Sequence, residues 1–397
     1  MDMRPFSPAF QGGSMRWSRR EFVRSVGWGG TGMLTLPFII SRGREELSAL
    51  GIEGQTPPLI EPGFIRISGN ENPRGPGDAA LRALDGRVSY KVGRYPDNPP
   101  GLAETVAALY RAKAENVLLS TGSAGLLAGA VRAFTSPERP LVNASPSYGA
   151  PVSTARRIGT PVREVPVAAD LSINLGGMAE AAQGAGLVFL CNPNNPTSTF
   201  HSGLSITAFI SEVRRSSPET MIQVDEAYID YSEDPVGGTA VPLALDDPNV
   251  FVTRTFSKAY GMAGLRLGYA IGRPETMQKI GAAWGLGSVN VLTAAAAIAS
   301  LNDPAHMERE RQENARVREF VHSTFGDLGA DAPVSNTNFL FVNLGGPVGS
   351  FREACLKHRV QVGRDFPPML DHCRVSLGTM GEMRRAAGVF AEVLRTG

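Results

Sequence analysis

The sequence predicts an α/β fold in which helices cover both faces of a mostly parallel sheet. Short apolar segments alternate with helical segments from Val117 to Ile271, an order that is typical of parallel strands joined by helices. The segment from Leu187 to Cys191 is apolar at every position, as expected of a strand that is buried on both faces. The chain has 397 residues, 42% of them hydrophobic and 19% charged, which is ordinary globular composition and sufficient for two domains.

Hydrophobic periodicity assigns the elements in chain order. Apolar residues at helical spacing predict an amphipathic helix over residues 102–113. A short strand at 117–120 is followed by a glycine-rich turn and then by a helix at 126–134. The remaining predicted strands are 187–191, 221–224, 249–252, 339–342, 360–364 and 373–378, and the remaining predicted helices are 204–215 and 307–328.

Composition and charge argue against several classes of function. Lysine and arginine total 39 against 38 acidic residues, so the net charge of +1 gives no overall basic bias toward nucleic acid. The three cysteines, Cys191, Cys355 and Cys373, do not form a disulfide framework. His358 and His372 lie near two of them in sequence, but without a paired C-x2-C motif they predict no metal site.

The N-terminal segment is predicted to be an export signal. Residues 18–24 (SRREFVR) resemble a twin-arginine signal, and a weakly apolar run over 25–40 follows them. This run is too short for a stable membrane span, and its glycines make it too polar for one. We therefore expect export to the periplasm with only transient membrane contact through the signal. The alternative is a disordered basic tail on a cytoplasmic protein.

The most informative stretch, residues 253–269, places one lysine in a glycine-rich loop. Lys258 follows the predicted strand at 249–252, and hydroxyl side chains and Arg266 lie close to it in sequence. Most lysines are exposed, but the apolar and glycine-rich neighbours of Lys258 predict an enclosed site. An enclosed amine with a lowered pKa is the nucleophile that forms a Schiff base with a carbonyl compound.

Several polar motifs fall where predicted parallel strands end, and ligands bind at that edge of such a sheet. The motifs occupy residues 120–124, 192–197, 225–228 and 255–258. The glycine-rich turn in the first motif precedes a helix, whose free backbone N–H groups and positive dipole end suit a phosphate. In the third motif, Asp225 ends a buried strand, where a carboxylate requires a positively charged partner.

These motifs, in this order, resemble those of fold-type I, pyridoxal-phosphate-dependent aminotransferases of class I/II. Within that family the chain is most similar to the histidinol-phosphate aminotransferase subfamily, over residues 67–397. The segments that carry the resemblance are N-E-N-P at 70–73, R-Y-P at 94–96, N-P-N-N-P-T at 192–197, D-E-A-Y at 225–228 and S-K-A-Y-G at 257–261.

The resemblance implies a domain organisation. It predicts the pyridoxal-phosphate-dependent transferase fold, with a mostly parallel seven-stranded sheet in a large domain at residues 86–290. A smaller α+β domain is expected at 291–397, and residues 45–85 supply a connector and the N-terminal part of that domain. Residues 1–44 are the predicted signal or disordered tail.

The resemblance also implies that pyridoxal 5′-phosphate is the cofactor and that Lys258 carries it and then serves as general base. Asp225 would pair with the protonated pyridine nitrogen, which makes the ring an electron sink. By the same resemblance the phosphate is held by Ser257, Arg266, Thr255 and the amides of Gly122, Ser123 and Ala124, the phenolic oxygen by Asn195 and Tyr228, and the ring face by Tyr148.

Substrate and partner roles follow from the same resemblance. Arg374 and Arg364 match arginines that bind the anionic group of the substrate, and Asn338 and Arg74 are further candidates. Tyr95 would reach the cofactor phosphate of the neighbouring subunit, which implies a homodimer. The chain departs from the subfamily at Arg74, where tyrosine is usual, at Ser198, where glycine is usual, and in the turn at 121–125, which lacks an acidic residue.

The expected reaction is transfer of an amino group between an amino acid or amino alcohol phosphate and a 2-oxo acid such as 2-oxoglutarate. Two alternatives stay open from the sequence. One is a decarboxylase similar to the threonine-phosphate decarboxylases, and the other is a non-catalytic regulatory protein that binds the cofactor.

Overall fold

A computed structural model describes residues 61–85, 92–95 and 101–396. The predicted export signal and most of the connector lie outside the described residues. From Pro62 onward the chain forms one compact unit. Its described strands are β1 (Ile65–Arg66), β2 (Val117–Ser120), β3 (Leu141–Ser145), β4 (Val162–Pro166), β5 (Leu187–Cys191), β6 (Met221–Asp225), β7 (Val250–Thr255), β8 (Gly268–Gly272), β9 (Phe339–Asn343), β10 (Val360–Gln361) and β11 (His372–Ser376).

The helices alternate with these strands through most of the chain. The described α-helices are α1 (Asp78–Leu84), α2 (Leu102–Leu109), α3 (Ser123–Phe134), α4 (Ala150–Arg157), α5 (Leu175–Ala181), α6 (Gly203–Ser216), α7 (Val241–Asp246), α8 (Pro274–Ala283), α9 (Val291–Leu301), α10 (Pro304–Asp327), α11 (Val348–Lys357) and α12 (Met380–Thr396). In the part of the chain that the structure describes, no helix is both long and apolar enough to cross a membrane.

A seven-stranded sheet in the order β2-β8-β7-β6-β5-β3-β4 forms the centre of the molecule. β8 runs antiparallel to both β7 and β2, whereas the pairs from β7 through to β4 are parallel. Strands β5 and β6 are buried at every residue; β5 is apolar throughout, whereas β6 carries the polar residues Gln223 and Asp225. The predicted α/β class and the mostly parallel seven-stranded sheet are confirmed.

Of the boundaries that differ from the sequence-based prediction, two have identifiable causes. The helix predicted over 102–113 ends at Leu109, because the chain turns at Arg111, whose φ of 54° lies in the left-handed region that a helix cannot continue. The strand predicted over 360–364 ends at Gln361. The N–H of Gly363 donates to the carbonyl of Arg374 instead of extending the pairing with β1.

A second hydrophobic core lies under the C-terminal elements. β9 pairs with β11 in antiparallel orientation, and β1 pairs with β10 in parallel orientation. Ile65 and Ile67 share this core with Phe325, Phe351 and Phe390, so the segment after the connector folds with the C-terminal third.

The predicted division at residue 290 stays a prediction, and the two helices that follow it, α9 and α10, join different cores. Ala294 and Ala297 of α9 pack with Leu102 and Phe256, in a core that belongs with the central sheet. Because side chains of α10 such as Val317 join the C-terminal core, the change of core occurs after α9.

Candidate active site

A cavity of about 490 Å³ opens at the edge of the sheet where β5, β6 and β7 end. Parallel strands present their carboxyl ends together, so residues that follow different strands converge there. The predicted site residues that line this cavity are Ser123, Ala124, Tyr148, Asn195, Asp225, Tyr228, Thr255, Ser257, Lys258, Arg266, Arg364 and Arg374.

Lys258 lies three residues after the end of β7, within the cavity. Its Nζ donates to the carbonyl of Gly69 at 3.4 Å and lies 5.6 Å from the ring centre of Tyr228. Burial, and then the positive charge of Arg374, lower the pKa of Lys258 to about 8. The amine is therefore much less basic than an exposed lysine.

Asp225 is the last residue of β6 and is almost fully buried. Its Oδ1 accepts a hydrogen bond from Thr253 Oγ1 on the adjacent strand at 2.7 Å. Burial raises the pKa of Asp225 to about 6, because the ionised form loses solvation. A cation placed against this carboxylate would stabilise its charged form.

A tyrosine and two asparagines form a second side of the cavity. The hydroxyl of Tyr228 accepts hydrogen bonds from Asn70 Nδ2 at 3.0 Å and from Asn195 Nδ2 at 3.3 Å. Burial raises the pKa of Tyr228 well above its ordinary value, so its proton is retained and can be donated. Asn70 also lines the cavity and is a site residue that the sequence motif does not reveal. Its φ of 53°, a conformation in which asparagine is enriched, was not visible in the motif.

Besides Lys258 and Arg266, two further arginines bring positive charge to the cavity. Arg374 donates from Nη1 to Asn195 Oδ1 and from Nη2 to the carbonyl of Ser68, both at 2.7 Å. Its buried Nε has no hydrogen-bond partner among the described residues. Arg364 lines the same cavity, and both guanidinium groups lie over the ring of Phe366, at 4.8 Å for Arg374 and 4.3 Å for Arg364.

The N-terminus of α3 and Arg266 form a site suited to a phosphate. Ser123 begins α3, and the first N–H groups of a helix have no partner within the helix. Arg266 donates from Nη1 to Ser257 Oγ at 3.5 Å and to the carbonyl of Ala263 at 3.0 Å. Thr255 Oγ1 accepts from the N–H of Ser257 at 3.1 Å, which fixes the start of the lysine loop.

Gly122 has a different role from the one predicted. Its N–H donates to the carbonyl of Ser120 at 2.8 Å and so does not point at a ligand. Its φ is 86°, and a Cβ at this position would overlap the guanidinium group of Arg266. Gly122 therefore makes room for Arg266, while Ser123 and Ala124 line the cavity.

Arg74 and Asn338 are not among the residues that line the cavity, and both are occupied elsewhere. The guanidinium group of Arg74 forms an ion pair with the buried carboxylate of Glu310 at 2.7 Å. Asn338 Nδ2 donates to the carbonyls of Asn70 and Glu71, at 3.1 and 3.2 Å. The structure therefore corrects their predicted substrate roles: Arg74 is neutralised by a neighbour, and Asn338 holds the backbone of the Asn70 loop.

The remaining predicted positions are Tyr95 and Ser198. Tyr95 is 97% exposed and does not line the cavity of its own chain. Ser198 is buried with a φ of 63°, and its N–H still closes the turn by donating to the carbonyl of Asn194 at 2.8 Å. The residues that the structure describes contain no group of three or more histidine, cysteine, aspartate or glutamate side chains placed to hold a metal ion.

Comparison with known proteins identifies relatives that span most of the chain. The family model described as "Aminotransferase class I and II" matches residues 63–390. A histidinol-phosphate aminotransferase of Symbiobacterium thermophilum is 36% identical over 337 residues, which is 84% of this chain and 90% of that protein. An aromatic amino acid aminotransferase of Nocardia farcinica is 36% identical over 347 residues, which is 85% of this chain and 93% of that protein.

A solved structure shows the same architecture. The crystal structure of histidinol-phosphate aminotransferase from Sinorhizobium meliloti in complex with pyridoxal-5′-phosphate matches with a TM-score of 0.77 at 28% identity. The match covers 84% of this chain and 91% of that chain. From the family match, the relatives and the fold together, the chain belongs to the aminotransferase class I and II family and is a pyridoxal-phosphate-dependent aminotransferase of fold type I.

Proposed function

We propose that this enzyme transfers the amino group of a small primary amine bearing a phosphate or carboxylate, of the histidinol-phosphate type, to a 2-oxo acid such as 2-oxoglutarate. The observation that most strongly supports an anionic substrate is the position of two arginines. Arg374 and Arg364 line the cavity that contains Lys258, and the ring of Phe366 lies beneath both guanidinium groups. An arginine fork binds either a phosphate or a carboxylate through paired hydrogen bonds.

The residues of the cavity fit pyridoxal phosphate. The missing side chain of Gly122 leaves Arg266 beside the N-terminus of α3, where a phosphate binds favourably. Asp225 is a buried carboxylate that needs a cationic partner, and a protonated pyridine nitrogen is such a group. When bound, the cofactor supplies an electron sink for the charge that develops on the substrate carbon.

Lys258 is the proton-transfer group in this proposal. With its pKa near 8, a usable fraction of the amine is neutral at physiological pH. Neutral Nζ accepts the proton from the substrate carbon. Tyr228, which keeps its own proton, can donate a hydrogen bond into the same cavity. Arg374 orients the anionic end of the substrate so that the carbon faces Lys258.

An aromatic amino acid is the second candidate donor. Tyr148 and Phe366 both line the cavity, and they would pack against an aromatic side chain. The relative from Nocardia farcinica is named for this activity. Histidinol phosphate and an aromatic amino acid both combine a ring with an anion, so the two arginines alone do not separate the candidates.

A half-reaction measurement tests the proposal. The purified protein is mixed separately with histidinol phosphate, histidinol, phenylalanine and glutamate, and conversion of the cofactor to its amino form is followed by visible absorbance. We expect histidinol phosphate to react roughly 100-fold faster than histidinol, because the arginine contacts require the anion. The variant Lys258→Ala is the control and should show no conversion.

Other outcomes have defined meanings. If phenylalanine is the fastest donor, an aromatic amino acid replaces the histidinol-phosphate type of amine as the proposed substrate. Equal rates for histidinol and its phosphate would contradict the proposed role of the anion. Release of carbon dioxide without any need for a 2-oxo acid would indicate the decarboxylase alternative.

We also propose a homodimer in which Tyr95 of one subunit reaches the cavity of the other. Tyr95 is almost fully exposed in the single chain, which suits a side chain that completes a neighbouring site. Mixing Tyr95→Ala with Lys258→Ala tests this arrangement, because a mixed dimer contains one site with both wild-type residues. Activity that reappears on mixing supports it. Inactivity of the mixture, with mixed dimers demonstrated by sedimentation and tags, would contradict it.

Export through the twin-arginine segment is a further proposal. It is supported by the arginine pair Arg19–Arg20 and the weakly apolar run that follows it. Cell fractionation of the wild type and of the double variant Arg19→Lys/Arg20→Lys provides the test. We expect the wild type in the periplasm and the variant in the cytoplasm. Identical cytoplasmic location of both would contradict export.

A further inference from the structure

Two polar side chains lie inside the central sheet beside Asp225. Gln223 is two residues before Asp225 on β6, so both side chains point to the same face of the strand. Thr253 lies opposite Asp225 in the parallel register between β6 and β7. Gln223 and Thr253 are fully buried. A polar group is costly to bury without a hydrogen-bond partner, so their position calls for a physical reason.

These side chains form a series of hydrogen bonds that ends on Asp225. Thr253 Oγ1 donates to Asp225 Oδ1 at 2.7 Å, and Gln223 Nε2 donates to Thr253 Oγ1 at 3.3 Å. A threonine hydroxyl has one proton, and an ionised carboxylate can only accept. Because Gln223 donates to the hydroxyl oxygen, the single proton of Thr253 is directed at Asp225.

We propose that Thr253, oriented by Gln223, is a positioning residue that keeps Asp225 ionised and aligned with the ring nitrogen of the cofactor. A carboxylate in the dry interior of a sheet otherwise favours its neutral form, which does not attract a cation. The Thr253 hydrogen bond favours the charged form instead. This role of Thr253 is exerted on the cofactor of the family and is independent of the proposed substrate, so the test uses no substrate.

Other groups act on the charge of Asp225 in both directions. The titratable side chains that interact electrostatically with Asp225 are Glu226, Lys258, Cys191 and Tyr148. Glu226 raises the pKa of Asp225, and Lys258 lowers it. Burial raises the pKa of Cys191 and of Tyr148, so both stay neutral. All four are unchanged when only Thr253 or Gln223 is altered, which makes such variants comparable.

The test measures binding of pyridoxamine 5′-phosphate, which forms no bond to Lys258, to the full-length protein after its cofactor has been removed. Affinity is recorded from about pH 5 to about pH 8. Thr253→Val removes the hydroxyl with little change of shape, and loss of this hydrogen bond raises the pKa of Asp225. Affinity should fall on the acid side of this pH range as Asp225 becomes protonated, and we call this part of the curve the acid limb. In Thr253→Val we expect the acid limb to move to higher pH by about one unit, which makes binding about tenfold weaker at about pH 5.

Matched variants separate the hydroxyl from packing. Thr253→Ser keeps the hydroxyl and should restore the wild-type limb, while Gln223→Met should shift the limb in the same direction by a smaller amount. Thr276→Val removes another buried hydroxyl, one that donates to the carbonyl of Pro248. This control should lower stability and leave the limb in place.

Three results would overturn the proposal. The first is a wild-type limb in Thr253→Val. The second is a limb in Thr253→Ser that is no closer to wild type than that of Thr253→Val, because packing would then be the cause. If Thr253→Val does not fold, Gln223→Met decides, and an unchanged limb in that variant is the third.

Discussion

At the scale of single residues, the chemistry of Lys258 depends on the charges that surround it. Burial lowers the pKa of Lys258 to about 8, and the charge of Arg374 acts in the same direction. The carboxylates of Glu71 and Asp225 act in the opposite direction, since a negative charge favours the protonated amine. Glu71 also lines the cavity and pairs with Arg66 at 2.8 Å. The proton affinity of Lys258 can therefore be changed without altering the lysine.

The first prediction concerns the pH dependence of turnover. Lys258 must be neutral to accept a proton, so kcat should rise with pH through a limb whose position follows the pKa of Lys258. Glu71→Gln removes a charge that raises the pKa of Lys258, so the limb should move to lower pH. Steady-state rates across the pH range provide the measurement, with the exposed Glu115→Gln as the control. Movement of the limb to higher pH would contradict this assignment.

At the scale of elements, the segment from Asn70 to Pro76 connects α10 to the lysine loop. Asn72 Nδ2 donates to Glu310 Oε2 at 2.7 Å and to the carbonyl of Ala259 at 3.2 Å. Glu310 therefore holds Asn72 in place, and Asn72 in turn contacts the residue that follows Lys258. This arrangement gives Arg74 a structural purpose, because its guanidinium group balances the buried charge of Glu310.

The second prediction tests this connection. Glu310→Leu should lower the free energy of unfolding by about 2–3 kcal/mol, because it leaves Arg74 without its partner in a half-buried position. The double variant Arg74→Leu/Glu310→Leu should recover part of that loss, while kcat/KM stays reduced because Asn72 has lost its acceptor. Urea unfolding and steady-state kinetics measure the two effects. Strictly additive losses of stability would show that the two side chains act independently.

The third prediction concerns the turn before α3. Gly122→Ala places a Cβ against Arg266 at a φ of 86°, so the guanidinium group must move away from the helix N-terminus. We expect affinity for pyridoxal phosphate to fall by roughly tenfold or more, measured by titration of the protein after its cofactor has been removed. Gly326→Ala on α10 is the matched control, because a Cβ there meets open space and favours the helix. Equal affinity of the two variants would rule out the proposed role of Gly122.

Part of this site could be predicted from sequence because its motifs are local. Asp225 and Lys258 follow mainly apolar segments that are predicted to be strands. The carboxyl ends of parallel strands meet at one edge of the sheet, so the two residues are expected to lie close together. The contacts between distant segments could not be predicted in the same way. Asn70 meets Tyr228, and Arg74 meets Glu310, across 158 and 236 residues of chain. The direction of the Gly122 N–H likewise depends on a backbone geometry that the glycine pattern alone did not specify.

At the scale of the whole molecule, the residues of the cavity depend on different hydrophobic cores. Arg374 lies on β11, between Cys373 and Val375 of the C-terminal core, in which the ring of Phe325 stacks on that of Phe390 at 5.0 Å. Asp225, in contrast, ends β6 and Lys258 follows β7, and both strands belong to the central sheet. Packing in each core therefore supports a different part of the site: the proposed anion-binding arginine depends on one core, and the residues proposed to hold the cofactor depend on the other.

The fourth prediction separates these two contributions. Phe325→Ala should lower the free energy of unfolding by about 3–5 kcal/mol, because it leaves a cavity in the C-terminal core. KM for the anionic substrate should rise more than the dissociation constant of the cofactor. Phe189→Ala, in the core beneath β5, should show the reverse order. Thermal unfolding, cofactor titration and steady-state kinetics provide the data, and an identical pattern in both variants would refute the division.

The position of Arg374 has a consequence for the timing of the reaction. Its charge weakens Lys258 as a base, and a phosphate or carboxylate bound to Arg374 offsets part of that charge. Binding of an anionic substrate therefore strengthens the base at the moment when a proton has to be moved. By thermodynamic reciprocity, protonation of Lys258 strengthens anion binding to the same degree. At a pH high enough to keep Nζ neutral, an amine without an anion meets the weaker base, so the enzyme selects its substrate by rate as well as by affinity.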